Sequence, residues 1–371
     1  MRKRDLAVRA ALLRFGGCTS VAPTVVGSCA AARASISRFL RGVHGAVAGA
    51  EAFTMAPAPY LSPMRIPEAT ATPRLLALVS RALGEAMHGV LPPRGEALPV
   101  LLGMPPVRPG LPAEAAEIVA GRVEADLAER DVRGVVEVLP LGHAAGIVGL
   151  ERAIRKLDAG ECGLCLVGGV DSYIAEETLA WLHEREQLKS GRNRWGFIPS
   201  EGAGFCVVSR AAAAETRAIS PDDGSRRAPA LTVLAAGVAH EEVPARGEIP
   251  SRGDGLTAAL WGALTPLSGG ERVDEVVCDL NGERWRGDEA GMSIPRVAQR
   301  LVEPGRFAAP ALAWGDVGAA SGPLHLALVA HLAARGAAKG ARALVWTSSE
   351  EGARAATLVA ARCVDREASC R

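Results

Sequence analysis

The sequence predicts an α/β protein made of two similar halves stacked in layers, and an internal repeat together with a regular alternation of elements carries that prediction. Gly142-His143-Ala144-Ala145-Gly146-Ile147-Val148-Gly149-Leu150 and Gly318-Ala319-Ala320-Ser321-Gly322-Pro323-Leu324-His325-Leu326 place their glycines and leucines in the same order. Both runs then reach a glycine, Gly160 and Gly336, and each continues into an apolar strand, Leu164–Val167 and Ala343–Trp346. A third echo ends each half, Ala203–Arg210 and Ala355–Arg362. The polar, Pro- and Gly-bearing segment Ile219–Pro229 has the character of a surface connection. These landmarks divide the chain into an N-terminal half over 1–217, a connection over 218–229 and a C-terminal half over 230–371. Strands alternating with helices argue for α/β layers.

Taken in order, Leu6–Phe15 reads as a first strand rather than a signal peptide, because Arg9 and Arg14 interrupt its apolar run. Thr72-Pro73 has the form of an N-cap with proline at N1, opening a helix over Arg74–Met87. Leu98–Met104 is strand-like and precedes a helical Ala113–Leu127. Val135–Leu139 is a strand entering a small-residue turn at Gly142. In the helix that follows, Ile147, Leu150, Ile154 and Leu157 share one face, opposite Arg152, Arg155 and Lys156. In the second repeat, Leu324, Leu326, Leu328, Val329 and Leu332 leave almost no polar side, which predicts a fully buried helix.

With 371 residues, 49% hydrophobic and 22% charged, the chain is long enough for a large layered core. A formal net charge of +1 gives no electrostatic basis for binding nucleic acid or an anionic membrane. No stretch reaches the roughly 18 apolar residues of a membrane span. Lysine is confined to Lys3, Lys156, Lys189 and Lys339 while arginine, alanine and glycine abound, a composition that points to a GC-rich bacterial genome. The cysteines at 18, 29, 162, 165, 206, 278, 363 and 370 lie scattered in apolar surroundings, as buried thiols of a cytoplasmic protein do. Cys162-Gly163-Leu164-Cys165 has no second pair at metal spacing. Neither a metal nor a cofactor is expected.

His143 is the most informative residue. Its setting, a strand, a tight turn and then a helix, is that of a nucleophile elbow, where free N–H groups and the helix dipole stabilise negative charge at one exposed side chain. Here that side chain is an imidazole, which cannot hold an acyl group as a stable thioester.

The duplicated halves, the elbow and the strand end Gly168-Gly169-Val170-Asp171-Ser172 together resemble the thiolase fold and, within it, the β-ketoacyl synthases. Trp195–Gly204 resembles that family's Gly-Phe-Val-x-Gly-Glu-Gly-Ala-Gly run, with Ser200 replacing a glycine. The resemblance implies five layers, α-β-α-β-α, and a site built from a cysteine nucleophile and two histidines. Carried over by position, the cysteine falls on His143, the first histidine on Asn281 and the second on Asp316, so all three are substituted. A family lysine falls at or beside Ala311, and the glycine- and phenylalanine-rich gating loop reads Ser349-Glu350-Glu351-Gly352-Ala353. Loss of all these with retention of the packing glycines points to selection for the fold.

The resemblance therefore implies a cytoplasmic protein of fatty acid or polyketide type acyl metabolism without condensing activity. It would be a homodimer or a heterodimer with a ketosynthase, like a chain-length factor, in contact with acyl carrier protein or acyl-CoA. An accessory role in another assembly, such as secretion machinery, is a variant of that reading. The competing reading is an enzyme of altered chemistry, a thioester hydrolase or malonyl decarboxylase using His143 with Asp316. The plainer expectation is that His143 fills a plugged tunnel and bonds Asp316. Cys278 is expected to be a buried, inert thiol, and His325 and His331 satisfied core histidines. Arg284-Trp285-Arg286 reads either as a cationic patch for a phosphopantetheine or a carboxylate, or as an exposed loop, and Glu201 as a structural residue at a turn.

Overall fold

The computed structural model describes residues 10–42, 52–61, 70–90, 92, 95–210, 231–243, 245–247 and 249–361. Residues 6–9 of the expected first strand, the connection over 218–229, Cys363 and Cys370 lie outside the described residues. The elements in chain order are β1 (Ala10–Thr19), α1 (Val25–Arg33), β2 (Leu40–Gly42), β3 (Phe53–Met55), α2 (Thr72–Ala86), β4 (Leu98–Gly103), α3 (Ala115–Ala128), β5 (Gly134–Leu139), α4 (Ala145–Ala159) and β6 (Leu164–Ser172). They continue through α5 (Glu176–Glu184), β7 (Glu201–Ser209), β8 (Leu231–His240), α6 (Asp254–Leu264), β9 (Glu275–Cys278), α7 (Arg284–Val297), α8 (Ala311–Trp314), α9 (Ser321–Ala334), β10 (Arg342–Ser348) and β11 (Ala353–Ala361).

Nine strands join in the order β5-β4-β6-β7-β1-β8-β11-β10-β9. The run β1-β7-β6-β4 and the run β8-β11-β10-β9 share one pattern, two antiparallel pairings followed by a parallel one. They meet where Ala10–Leu12 of β1 pairs antiparallel with Leu231–Val233 of β8. Helices α2 and α3 pack outside the first run, and α6 and α7 outside the second, while α4 and α9 touch each other and strands of both runs. The layers are thus α-β-α-β-α.

The burial of the two central helices follows from their sequences. Twelve of the α9 side chains are buried, consistent with an apolar residue at nearly every turn, and α4 buries Ile147, Leu150, Ile154 and Leu157 while its charged side faces out. Gly160 and Gly336 close their helices in the left-handed conformation that glycine adopts without penalty. Thr72 is the first residue of α2 rather than its cap; Ala71 holds the cap position and no side chain caps the helix. Gly169 of β6 faces the backbone of the second repeat so closely that a Cβ there would run into the Ala319 carbonyl, so this glycine sets the distance between the β6 end and the start of α9.

Candidate functional site

Both helix starts are preceded by a single short 3-10 turn, Gly142–Ala144 before α4 and Gly318–Ala320 before α9, with Gly142 and Gly318 at positive φ. The strand ends complete them crosswise. Asp171 at the end of β6 accepts the Ala319 N–H at 3.3 Å, and Ser349, just past β10, accepts the Ala144 N–H at 2.9 Å while its hydroxyl donates to the Leu141 carbonyl. One N–H of the first elbow, that of Ala144, is therefore capped by the chain's own Ser349.

The structure brings His143, Asn281 and Asp316 together. His143 Nε2 lies 2.8 Å from Asp316 Oδ1 and 3.0 Å from Oδ2. Asn281 Nδ2 donates to Asp316 Oδ2 at 2.5 Å and to Glu283 Oε2 at 3.0 Å, and the Gly318 N–H donates to Asp316 Oδ1 at 2.8 Å. All three residues are buried. They reach this point from the first elbow, the segment after β9, and the segment linking α8 to the second elbow.

Arg286 binds the cluster together. Its Nη1 donates to Asp279 Oδ2 at 2.7 Å and to the Ser348 carbonyl at 2.6 Å, and its Nε donates to Glu283 Oε2 at 3.1 Å. Its Nη2 is 3.2 Å from both ring nitrogens of His143. A donor in the ring plane can approach only one nitrogen along its lone pair, so the guanidinium lies over the face of the imidazole. Arg246 extends the knot outward, pairing with Glu283 and, at 2.8 Å, with Glu350 of the β10–β11 turn. The carboxylates of Asp279, Glu283 and Asp316 thus face Arg286, Arg246 and His143.

Burial and the Arg286 cation both oppose a charge on His143, but the Asp316 carboxylate outweighs them and raises its pKa above the usual histidine value. Burial likewise opposes the Asp316 charge, and contact with His143, Arg286 and Asn281 overcomes it, holding the carboxyl well below the usual carboxylate range. Tyr173, buried beside them with Arg108 4.3 Å from its ring centroid, is pushed up by burial and by Asp316 and Asp171, so it keeps its proton. Arg108 donates to Asp171 Oδ1 at 2.6 Å.

Other expectations resolve as follows. Arg284-Trp285-Arg286 is neither a surface patch nor a loop: it opens α7, and only Arg284 of the three is exposed. Trp285 sits between two guanidiniums, Arg286 at 4.4 Å and Arg354 at 5.5 Å from its ring. The signal was in the sequence, because Arg286, Glu289, Ala290, Ser293 and Val297 recur at helical spacing and form the buried face of α7. Glu201 lies within β7 rather than at a turn, and holds Arg74 through two donors together with the Ala58 N–H and the Ser172 hydroxyl. Cys278 is buried in β9, and burial pushes its thiol far up. His331 is only half-buried, and His325 is buried but its Nδ1 has no hydrogen-bond partner. Among the described residues no group of three or more His, Cys, Asp or Glu side chains is placed to hold a metal ion. No helix among them is long and apolar enough to cross a membrane.

Residues 102–214, which carry the first elbow, β6 and β7, match the family model for the β-ketoacyl synthase N-terminal domain. Over that stretch the chain is similar to the β-ketoacyl synthases. The polyketide synthase PksR of Bacillus subtilis is 33% identical over 85 residues, 21% of this chain, and the chain spans only 3% of that relative's length. The ketosynthase from module 6 of the bacillaene synthase of Bacillus subtilis superposes with a TM-score of 0.72 at 15% identity, covering 95% of this chain and 72% of that one. The ishigamide ketosynthase/chain length factor superposes with a TM-score of 0.68 at 19% identity, covering 95% and 99%. The fold is accordingly that of the ketosynthases, with their thiolase-like layering.

Proposed function

We propose that this ketosynthase relative does not condense acyl groups and acts by association, as a partner of an active ketosynthase in the manner of a chain-length factor, in acyl metabolism of the fatty acid or polyketide type. The observation that carries this reading is the state of His143. It stands at the position that resembles the family's nucleophile, its Nε2 is engaged by Asp316, and Arg286 covers its face. An imidazole whose Nε2 is held by Asp316 and whose face is covered by Arg286 is shielded from a substrate, and it offers no thiolate to acylate. Ser349 also occupies one of the free N–H groups at the elbow, that of Ala144. Asn281 and Asp316 make their bonds inside the same knot, so the positions that resemble the catalytic histidines are structural.

An association role also accords with the free edge of the sheet. Strand β5 ends the strand order and exposes Val135 at 49%, presenting a strand edge and an apolar side chain to a second chain. We read that edge as the dimer surface, for a second copy or for a ketosynthase, in a cytoplasmic protein divided into halves near 218–229. The competing reading, a hydrolase or decarboxylase, draws on one observation, the 2.8 Å contact of His143 with Asp316, which in a different protonation state would orient a general base.

Co-expression with an active ketosynthase of a fatty acid or polyketide system, followed by native mass spectrometry, tests the association reading. A heterodimer that dissociates when Val135→Asp is introduced is the expected result. A monomer indifferent to both the ketosynthase and the substitution would overturn it.

A further inference from the structure

The site leaves a cavity of about 10 Å³ lined by His143, Asp279, Trp314, Asp316, Ser321 and His325, among others. That is about the space one water centre requires. Trp314 and His325 stack nearly parallel, 13° apart with ring centroids 6.5 Å from each other. Trp314 is 0% exposed and His325 2%. Each carries a buried nitrogen without a protein partner, Trp314 Nε1 and His325 Nδ1. Buried polar atoms are almost always satisfied, by protein or by ordered water, since leaving one bare costs about 1–3 kcal/mol. The two residues that carry these atoms line the same small cavity.

We propose that this cavity binds one ordered water, which accepts from the Trp314 indole N–H, donates to His325 Nδ1, and donates its second hydrogen to a carboxylate of the cavity wall, Asp279 or Asp316. The inference rests on the reading that the site is closed. It also specifies His325: to accept at Nδ1 the ring must be neutral with its proton on Nε2. Burial lowers its pKa to about 4, opposed by Asp279 and Asp316 and assisted by His143, so the neutral form holds at physiological pH. The groups facing it from other elements are those same three, from the first elbow, the segment after β9 and the segment before α9. One water matches the small space this cavity offers.

The test is a crystal structure of the full chain at a resolution that shows ordered water, with a water-to-indole cross-relaxation measurement on the Trp314 N–H in solution. Density for one solvent atom within hydrogen-bond reach of both nitrogens is expected. So is a cross-peak to long-lived water that disappears in His325→Phe. A closed site with no density there and no cross-peak would overturn the water alone. A site opened into a channel that accepts an acyl thioester would overturn the closed-site reading instead, so the two failures are distinguishable. The wild-type measurements stand even where His325→Phe does not fold.

Discussion

Replacing Arg286 with methionine keeps most of the side-chain volume and deletes the cation at the centre of the site. The Arg286 and Asp279 side chains are 2% and 3% exposed, and Glu283, also buried, is bonded to the same guanidinium. Asp279 and Glu283 would then sit in the interior without their principal counter-charge, and the Ser348 carbonyl would lose its donor. Removing one member of a buried ion pair costs about 3–5 kcal/mol, because the remaining charge has been desolvated without compensation. Unfolding entropy near 2.1 cal/mol/K per residue over 371 residues gives roughly 0.8 kcal/mol/K, so the expected fall in Tm is about 4–6 °C. Differential scanning calorimetry of wild type and Arg286→Met measures it directly. A companion pair, Asp279→Leu alone and combined with Arg286→Met, separates stranded charge from lost packing: the double variant should lose less than the two single losses added. A Tm within 1 °C of wild type for Arg286→Met, or strict additivity in the double variant, would refute the claim that this arginine neutralises the site.

Four further outcomes follow from the same geometry. His143 and Asp316 shift in opposite directions, so their contribution has a window. The His143 share is fully present below its ordinary pKa of 6.5 and is lost as pH climbs through the raised folded value, and the Asp316 share is present above 3.8 and is lost as pH falls through its depressed one. Tm plotted against pH should therefore decline on the alkaline side in wild type and lose that decline in His143→Phe. Ser349→Ala leaves the Ala144 N–H without its acceptor and should cost about 1–2 kcal/mol, read as a lower midpoint in urea at unchanged slope. Gly169→Ala drives a Cβ into the Ala319 backbone carbonyl and should abolish soluble expression or lower Tm more than Gly168→Ala, where the Cβ would meet the Phe205 side chain rather than backbone. His325, held neutral, should show no titration of its ring signals by NMR between about pH 5 and 8.

Much of the fold was legible because packing requirements repeat. The glycines and leucines after Gly142 and Gly318 fall in the same order because both helices start at a tight turn and are buried between the same layers, and that duplicated constraint is visible without coordinates. His143 and Asp316 could be placed together because each sits at a fixed step from one of these turns. What the sequence concealed was the polar interior. Arg286 reads as surface because arginine is ordinarily solvated, and its burial depends on Asp279 and Glu283 of the stretch between β9 and α7 and on the Ser348 carbonyl at the end of β10. Only the helical spacing from Arg286 to Val297 hinted at an inward face, and a spacing argument cannot say that a charged residue will find enough partners. Ser349 was read as part of a changed gate, but that its hydroxyl reaches the first elbow, 205 residues earlier, is tertiary information. Glu201 was assigned a structural role correctly in kind, while its partner Arg74, 127 residues away, had no local signature.

The most direct test of the central claim is turnover and intact-mass analysis of the purified protein with acyl and malonyl thioesters, run beside His143→Ala and His143→Cys. The account predicts no acyl adduct, no hydrolysis and no decarboxylation by the native protein. Thioester cleavage or decarboxylation by the native protein that vanishes in His143→Ala would contradict it, and would make His143 a working base rather than the charged half of an ion pair.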